Sequence, residues 1–473
     1  MTWEIVIGLE VHVQLGTRSK MFCACSTSFG DPPNSNVCPV CLGLPGALPV
    51  PNREAVRYAV RAAHALGGAI DAKSIFARKN YFYPDLPKGY QISQFEAPLS
   101  RGGHVALETA TRGTIDVTIE RLHLEEDAGK SLHDRIPGKT AVDLNRAGVP
   151  LVEIVSGPDL RSPAEARAYL IALKQLLVYT EVSECSMEKG SLRVDANISI
   201  RKPGEARLGT KTEIKNLNSF ANVERALEAE AVRQQGLLDQ GGKVDQVTLL
   251  FNAAAGTVRP MRSKEESHDY RYFPDPDLPP LVLGRDWIDA IRAELPELPA
   301  EKRKRLVSTF SLPAYDAAVL ASERPIASYF EAVVAAGAPA KQAANWILGE
   351  AMTDFNNRGR FAVLPADLAD LIAQVEQGTV SHQAAKKVFE EMARSGDRAV
   401  AVAQRLGLVQ VRDEAALAQW VEEVIAAHPK EVARFRAGET KLLGFLTGQV
   451  MKKSQGKADP KGVQPILLER LGQ

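Results

Sequence analysis

The sequence predicts an α+β chain: a strand-rich first part, then a helical remainder. Three observations predict it. Apolar residues alternate with polar ones at period two in several runs before about residue 290. Turn punctuation is dense over the same span, as in Asp31-Pro-Pro, Gly43-Leu-Pro-Gly46 and Pro84-Asp-Leu-Pro87. After the Pro-rich stretch Pro274-Asp-Pro-Asp-Leu-Pro-Pro280, composition shifts to Ala, Leu, Glu, Lys and Arg at helical spacing.

The first element is a strand. Ile5, Ile7, Leu9, Val11, Val13 and Leu15 alternate with Val6, Gly8, Glu10, His12 and Gln14, which places Glu10, His12 and Gln14 on one face. Apolar spacing predicts helices over 53–67, 163–179 and 220–236, the second opened by an N-cap at Ser162 and Pro163 at the first helical position. Further strands are expected at Ile115–Ile119 and Leu192–Ile198. Apolar parity slips between Ile119 and Leu122, so a bulge or strand end re-aims the acids that follow. Leu298-Pro299 starts a helical region that runs to about residue 405, with a second boundary near Val409. These boundaries give three domains, 1–292, 293–407 and 408–473. The last is helical and ends basic: five lysines lie between Lys441 and Lys461 against one acid, Asp459. No internal repeat or low-complexity segment is visible.

At 473 residues the chain is too long for one core. Its 45% hydrophobic and 25% charged residues exclude disordered and collagen-like classes. No apolar run is long enough to span a bilayer, and no basic region precedes an apolar stretch at the N-terminus. The expected compartment is the cytoplasm. Lys+Arg and Asp+Glu are 58 each, so any contact with nucleic acid must come from local basic patches.

Four of the five cysteines follow the pattern Cys23-x-Cys25…Cys38-x-x-Cys41. In a reducing compartment two such pairs on turns suit a tetrahedral zinc site. With all four positions filled by thiolates, the zinc is structural. The competing reading is four unrelated buried thiols. Cys185 reads as a buried apolar filler, and His64 and His104 as ordinary histidines.

Acids gather near strands. Glu10 and His12 share a strand face, His123-Leu-Glu125-Glu126-Asp127 follows another strand, and Glu153 interrupts the apolar run Leu151-Val-Glu-Ile-Val155. A carboxylate in apolar surroundings is costly unless paired or bound to metal. Hard oxygens with one imidazole suit Mg²⁺ or Mn²⁺, which can neutralise the phosphates of ATP. For Glu125 and Glu126, solvent-facing acids remain the alternative. Gly129-Lys130-Ser131 imitates the end of a P-loop, but Leu124 stands where its first glycine belongs, so that phosphate cradle is excluded. Two polar runs, Arg193-Val-Asp195-Ala-Asn197 and Glu213-Ile-Lys215-Asn216, are either an exposed sheet face or a pocket for a polar substrate. The aromatic run after Lys79 either packs or stacks a base.

These runs resemble a known family. Glu10-Val-His-Val-Gln14, Lys79-Asn-Tyr-Phe-Tyr-Pro-Asp-Leu-Pro-Lys88, His123-Leu-Glu-Glu-Asp-Ala-Gly-Lys130 and Val142-Asp-Leu-Asn-Arg146 are similar to the B subunit of the aspartyl/glutamyl-tRNA(Asn/Gln) amidotransferases. So are Met187-Glu-Lys-Gly-Ser-Leu-Arg-Val-Asp-Ala-Asn197, Glu213-Ile-Lys-Asn-Leu-Asn-Ser-Phe220, Asp269-Tyr-Arg-Tyr-Phe-Pro-Asp-Pro-Asp277 and Gly444-Phe-Leu-Thr-Gly-Gln-Val-Met-Lys-Lys453. The resemblance runs from end to end in the expected order. It implies a mixed-sheet cradle domain, a helical domain and a small helical tail. It implies a heterotrimer with two partners: an amidase, the A subunit, that releases ammonia from glutamine, and the small C subunit, a belt around both. This chain is then expected to phosphorylate the side-chain carboxylate of misacylated Glu-tRNA(Gln) or Asp-tRNA(Asn) with ATP and Mg²⁺, and ammonia to displace the phosphate. By resemblance Glu10, His12, Glu125, Glu126 and Glu153 form the metal and activation region. Lys79 balances phosphate charge, and Arg193, Asp195, Glu213 and Lys215 surround the substrate and the mouth of an ammonia channel. Lys441, Lys452, Lys453 and Lys457 would contact the tRNA. The competing class is a zinc-stabilised tRNA platform without chemistry. A third reading, a tRNA synthetase, lacks support: the sequence has neither a His-x-Gly-His nor a Lys-Met-Ser-Lys-Ser signature.

Overall fold

The computed structural model describes residues 3–261, 269–410, 414–454 and 458–472. The chain forms two compact units, Met1–Pro299 and Ala300–Gln473.

The first unit is built on a mixed ten-stranded sheet among the described residues. Its strand order is Thr257–Pro260, Thr248–Asn252, Thr212–Leu217, Leu192–Arg201, Glu4–Gln14, Pro150–Ser156, Gly113–Glu126, Ser100–Arg101, Ala69–Ile70, and His104–Thr109 pairs with the long strand Gly113–Glu126. The N-terminal strand is therefore central, antiparallel to Leu192–Arg201 on one side and to Pro150–Ser156 on the other. Among the described residues, only Thr212–Leu217 and Thr248–Asn252 run parallel within this sheet.

Period two decides what each face does. Leu9, Val11 and Val13 share one face with Val152, Ile154, Leu122, Leu124, Val194 and Ala196, and all are buried. Helices Arg53–Ala65, Pro163–Tyr179 and Phe220–Asp239 pack on that side, contributing Ala59, Val60, Leu170, Leu173, Val223 and Leu227 to a single core. Burying a side chain of this size is worth about 1.5–3 kcal/mol, which makes a register slip prohibitive. The helix starts follow the sequence: Ser162 accepts the N–H of Glu165 with Pro163 at the first position, Ser219 accepts that of Asn222, and Asn52 those of Glu54 and Ala55.

Two register shifts tune the opposite face. Ser156 pairs with Ile119 but Val155 with Arg121, so Glu120 is the extra residue, at the parity slip visible in the sequence. The shift returns Leu122 and Leu124 to the core side and sends His123 and Glu125 to the other. In the second, Val194 pairs with Leu217 and Ala196 with Ile214, and Asn216 holds φ 66°. Asparagine tolerates that left-handed conformation better than most residues, and the bulge lets Lys215 leave the core face while Leu217 rejoins it.

A small sheet of Phe273–Pro274, Ala77–Asn80 and Tyr90–Ser93 packs near the end of the long strand. The α+β expectation holds, and the helices expected over 53–67, 163–179 and 220–236 appear with small shifts at their ends.

The second unit is helical among its described residues, from Pro299–Phe310 to Pro460–Leu471, with one π-helical turn at Ile347–Ala351. It holds two hydrophobic clusters. One gathers Leu306, Leu320, Phe330, Ile347, Leu368, Val388 and Val402, and Leu408 and Val409 still pack on it. The other gathers Leu417, Val421, Phe435, Leu446, Val450, Val463 and Leu467. No helix among the described residues is long and apolar enough to cross a membrane.

Candidate functional site

The polar face of the central sheet carries the candidate site, and cross-strand pairing builds it. Arg193 lies opposite His12, His12 opposite Glu153, and Glu153 opposite His123, which makes one row across four strands. The neighbouring row runs from Asp195 through Glu10 and Val155 to Arg121. Residues separated by more than a hundred positions in sequence become neighbours because each strand faces the same way at that register.

At the centre, one ligand atom each from His12, Glu125 and Glu153 lies within 4.8 Å of the others. His12 Nε2 is 3.2 Å from Glu153 Oε2, and His123 Nε2 is 3.1 Å from Glu125 Oε1 and 3.5 Å from Glu153 Oε2. Both carboxylates are buried, at 1% and 6% exposure, which is costly unless positive charge surrounds them. Burial pushes the Glu125 carboxyl up, but the His123 hydrogen bond and Lys79 outweigh it and hold the group low. Glu153 is likewise held low against its burial by His12, His123 and Lys79. Burial disfavours protonated His12, yet its hydrogen bond to Glu153 raises its pKa overall.

Two carboxylates and an imidazole fit a hard divalent ion such as Mg²⁺ or Mn²⁺. The surroundings fix the donors in place. Gln91 Nε2 donates to Glu125 Oε2 at 2.9 Å and Ser93 Oγ to Glu125 Oε1 at 2.6 Å. The small sheet supplies both, and beside Gln91 it presents Lys79. Burial depresses the Lys79 ammonium, but Glu125, Tyr272 and Glu153 raise it further, so it stays charged. Its Nζ lies 5.0 Å from the centre of the Tyr270 ring, and Phe95 stacks on Tyr272 at 4.3 Å.

Glu10 sits one pleat along from His12 and accepts from Asn197 Nδ2 at 3.0 Å. Burial raises its pKa first, and Glu153, Glu213 and Asp195 add repulsion. Lys215 Nζ bridges Asp195 Oδ2 at 2.9 Å and Glu213 Oε1 at 3.1 Å, forming an ion-paired rim beyond Glu10.

Glu126 does not join the group. As the strand neighbour of Glu125 it points the other way. It pairs with Lys88, accepts the Ile92 N–H at 2.9 Å, and lines a separate cavity with Phe22, Cys23, Cys41 and Tyr90. That placement corrects its expected grouping with Glu125. Conversely, the sequence reading missed His123 as a site residue, although its parity with Glu125 was the available signal. It also missed Asp127, Gln91, Ser93 and Arg121, the last 3.7 Å from Glu153 Oε1.

The four cysteines form a second cluster. Their sulfurs lie within 4.8 Å of one another on turns near the start of the chain, which fits four thiolates around zinc. The Cys38 N–H points at Cys41 Sγ at 3.2 Å, and the Lys20 ammonium, wholly buried, lies 3.6 Å from the same sulfur. A hydrogen bond from Cys23, helped by the Cys38 N–H and Lys20, pulls the Cys41 thiol down to about 4. Lys20 Nζ also donates to the carbonyls of Asn36 at 2.7 Å and Leu144 at 3.3 Å. Cys185 is buried and hydrophobic in its packing, as expected.

In the tail, Lys441 precedes helix Leu442–Lys453 and Lys452 and Lys453 end it, all exposed. Lys453 Nζ pairs with Glu423 at 3.0 Å. Lys457 lies outside the described residues.

Residues 5–289 match the family model described as the GatB/GatE catalytic domain, and residues 328–471 match the GatB domain. The chain is similar to the B subunit of the aspartyl/glutamyl-tRNA(Asn/Gln) amidotransferase of Moorella thermoacetica, with 52% identity and full coverage of both chains. The subunits of the same name from Geotalea uraniireducens and Pelodictyon phaeoclathratiforme are 52% and 50% identical, again over the full length of both chains.

Proposed function

This chain belongs to the family of aspartyl/glutamyl-tRNA(Asn/Gln) amidotransferase B subunits, and on that premise we propose that the polar sheet face around His12, Glu125 and Glu153 is where the side-chain carboxylate is activated. The chain is the catalytic subunit of a glutamine-dependent carbon–nitrogen ligase, working in a heterotrimer, that converts misacylated Glu-tRNA(Gln) or Asp-tRNA(Asn) to the amide. The partners we propose are the amidase (A) subunit, the small C subunit and the misacylated tRNA, and the energy source is ATP.

A carboxylate resists ammonia because its oxygen leaves poorly. Transfer of the γ-phosphoryl group of ATP to that oxygen gives an acyl phosphate and ADP. Ammonia then adds to the acyl carbon, phosphate departs, and the nitrogen loses a proton. Both steps require anions brought together and water kept away.

His12, Glu125 and Glu153 would hold a divalent ion. Such an ion, when bound, neutralises the triphosphate oxygens. Lys79 and Arg193 lie at the edges of the group, where they can draw the substrate carboxylate and the phosphoryl group together. Gln91, Ser93 and His123 keep Glu125 oriented. Glu10, whose carboxylate is raised by burial, stands next to the rim of Asp195, Glu213 and Lys215 and is suited to take the proton that the attacking nitrogen gives up. The cysteines hold zinc as a structural ion, since no fifth position is offered to substrate. The division 1–292, 293–407 and 408–473 assigns activation to the first part and tRNA contact to the last, where Lys441, Lys452, Lys453 and Lys457 meet phosphates without reading bases.

The observation that carries this reading is the convergence of three metal-suited side chains from three strands within 4.8 Å, beside the half-buried Lys79. Amidation by the assembled complex with ammonium chloride, ATP and misacylated tRNA tests it. Glu125→Gln and Glu153→Gln are expected to lose amide formation by about a hundredfold or more while tRNA still binds. Normal turnover in both variants would remove the assignment.

A further inference from the structure

We infer that Asp127 is a positioning residue for this reaction, setting the place of the Arg193 guanidinium at the edge of the activation site. The inference rests on the proposed role of Arg193 beside His12.

Asp127 follows the long strand directly and is 3% exposed. Its backbone is held on both sides of the Cα: its N–H donates to the Val149 carbonyl at 2.8 Å, and its carbonyl accepts the Gly148 N–H at 2.8 Å. From that fixed point the side chain divides its two oxygens. Oδ1 accepts Arg193 Nη2 at 2.9 Å, and Oδ2 accepts Gln14 Nε2 at 2.7 Å. Arg146 Nε lies 3.5 Å from Oδ2, while the same guanidinium donates to the carbonyls of Ala128 at 3.0 Å and Gly129 at 2.6 Å.

The sheet order gives this carboxylate its reach. Arg193, Gln14 and the strand that precedes Asp127 belong to three different strands, and Pro150–Ser156 lies between the last two. Arg193 stands opposite His12, and Gln14 lies two residues further along the same strand face. Asp127 therefore ties the Arg193 end of the row to the Glu125 end.

Charge says what this does. Two guanidinium groups meet one carboxylate. A guanidinium has five N–H donors, and the single hydrogen bond to Asp127 leaves the rest of the Arg193 fork available to an anionic substrate group. Asp195, on the same strand face, and Glu125 also attract Arg193. Without Asp127, Arg193 turns toward those acids and no longer faces the substrate. A displacement of about 1 Å at a positioning group is enough to cost roughly a hundredfold in rate.

The test uses the assembled three-subunit complex with ammonium chloride, ATP and misacylated tRNA, comparing D127A, D127N, R193A and D127A/R193A. Melting temperature and zinc content report folding. D127A is expected to lower kcat/KM by about 10- to 100-fold. D127N recovers most of that loss, because its oxygen still accepts from Arg193 and the Gln14 amide can turn to accept from its nitrogen. The double variant is expected to be no worse than R193A, since Asp127 acts through Arg193. Multiplicative losses in D127A/R193A would overturn the inference, and so would D127N as poor as D127A at the wild-type melting temperature. If R193A itself turns over normally, the reading of the site falls with it. If R193A is impaired and D127A is fully active, only the role of Asp127 falls.

Discussion

Among its described residues the first unit presents two clusters suited to metal, and they are built in opposite ways. The cysteine knuckle takes four soft ligands from nineteen consecutive residues, closes the coordination shell and backs it with the wholly buried Lys20. The sheet-face site takes an imidazole and two carboxylates from three strands, and their donors come from residues 12, 125 and 153. It leaves room for ligands beyond the protein. Closed and local geometry suits a staple, and open, non-local geometry suits chemistry. The difference teaches that the folding of the sheet itself makes the second site, whereas the first needs little more than two turns.

The largest separation is expected between His12→Ala and Cys41→Ser. His12→Ala lowers amide formation by about a hundredfold or more with little change in melting temperature, because its ring is not part of the core. Cys41→Ser removes zinc and lowers the melting temperature of the complex, about 2–4 °C for each kcal/mol lost. Turnover per folded molecule in the latter stays near that of the parent protein. If zinc removal abolished turnover in fully folded protein, the division between staple and chemistry would be wrong.

A smaller effect is expected next to the staple. Lys20→Met keeps the buried stem but removes the cation beside Cys41, and zinc affinity should fall about 10- to 100-fold by competition with a chelator. Unchanged affinity would show that the ammonium serves only the carbonyls of Asn36 and Leu144. The smallest effect belongs to the tail. Lys452→Ala should weaken tRNA binding a few-fold and reduce the slope of log affinity against log salt by about one. Activation at saturating tRNA should be unchanged. Equal affinities at two salt concentrations would separate the tail from tRNA contact.

Much of this was readable before the fold was known. Cys23, Cys25, Cys38 and Cys41 were legible because their chemistry is set by spacing along the chain. Period two correctly placed Glu10, His12 and Gln14 on one face, and Arg193, Asp195 and Asn197 on another strand's face. The slip between Ile119 and Leu122 located the bulge at Glu120. What remained hidden was register. Nothing local says that His12 stands opposite both Arg193 and Glu153, because that pairing is settled by the core side of the sheet. The resemblance groups Glu126 with Glu125, yet strand alternation turns the two to opposite faces. His123 has the same parity as Glu125. Gln14, Arg146 and Arg193 meet on Asp127 through the sheet order, which no local pattern in the sequence encodes. The second unit shows its helices by composition, and Leu408 and Val409 pack on the first of its two clusters.

The central claim is that His12, Glu125 and Glu153 together bind a hard divalent ion. Binding of Mn²⁺ to the zinc-loaded complex, followed by the loss of its free-ion spin resonance signal, tests this most directly. One Mn²⁺ per complex is expected, lost in both Glu125→Gln and Glu153→Gln and competed away by Mg²⁺. Mn²⁺ binding equal to that of the parent protein in both variants would contradict it.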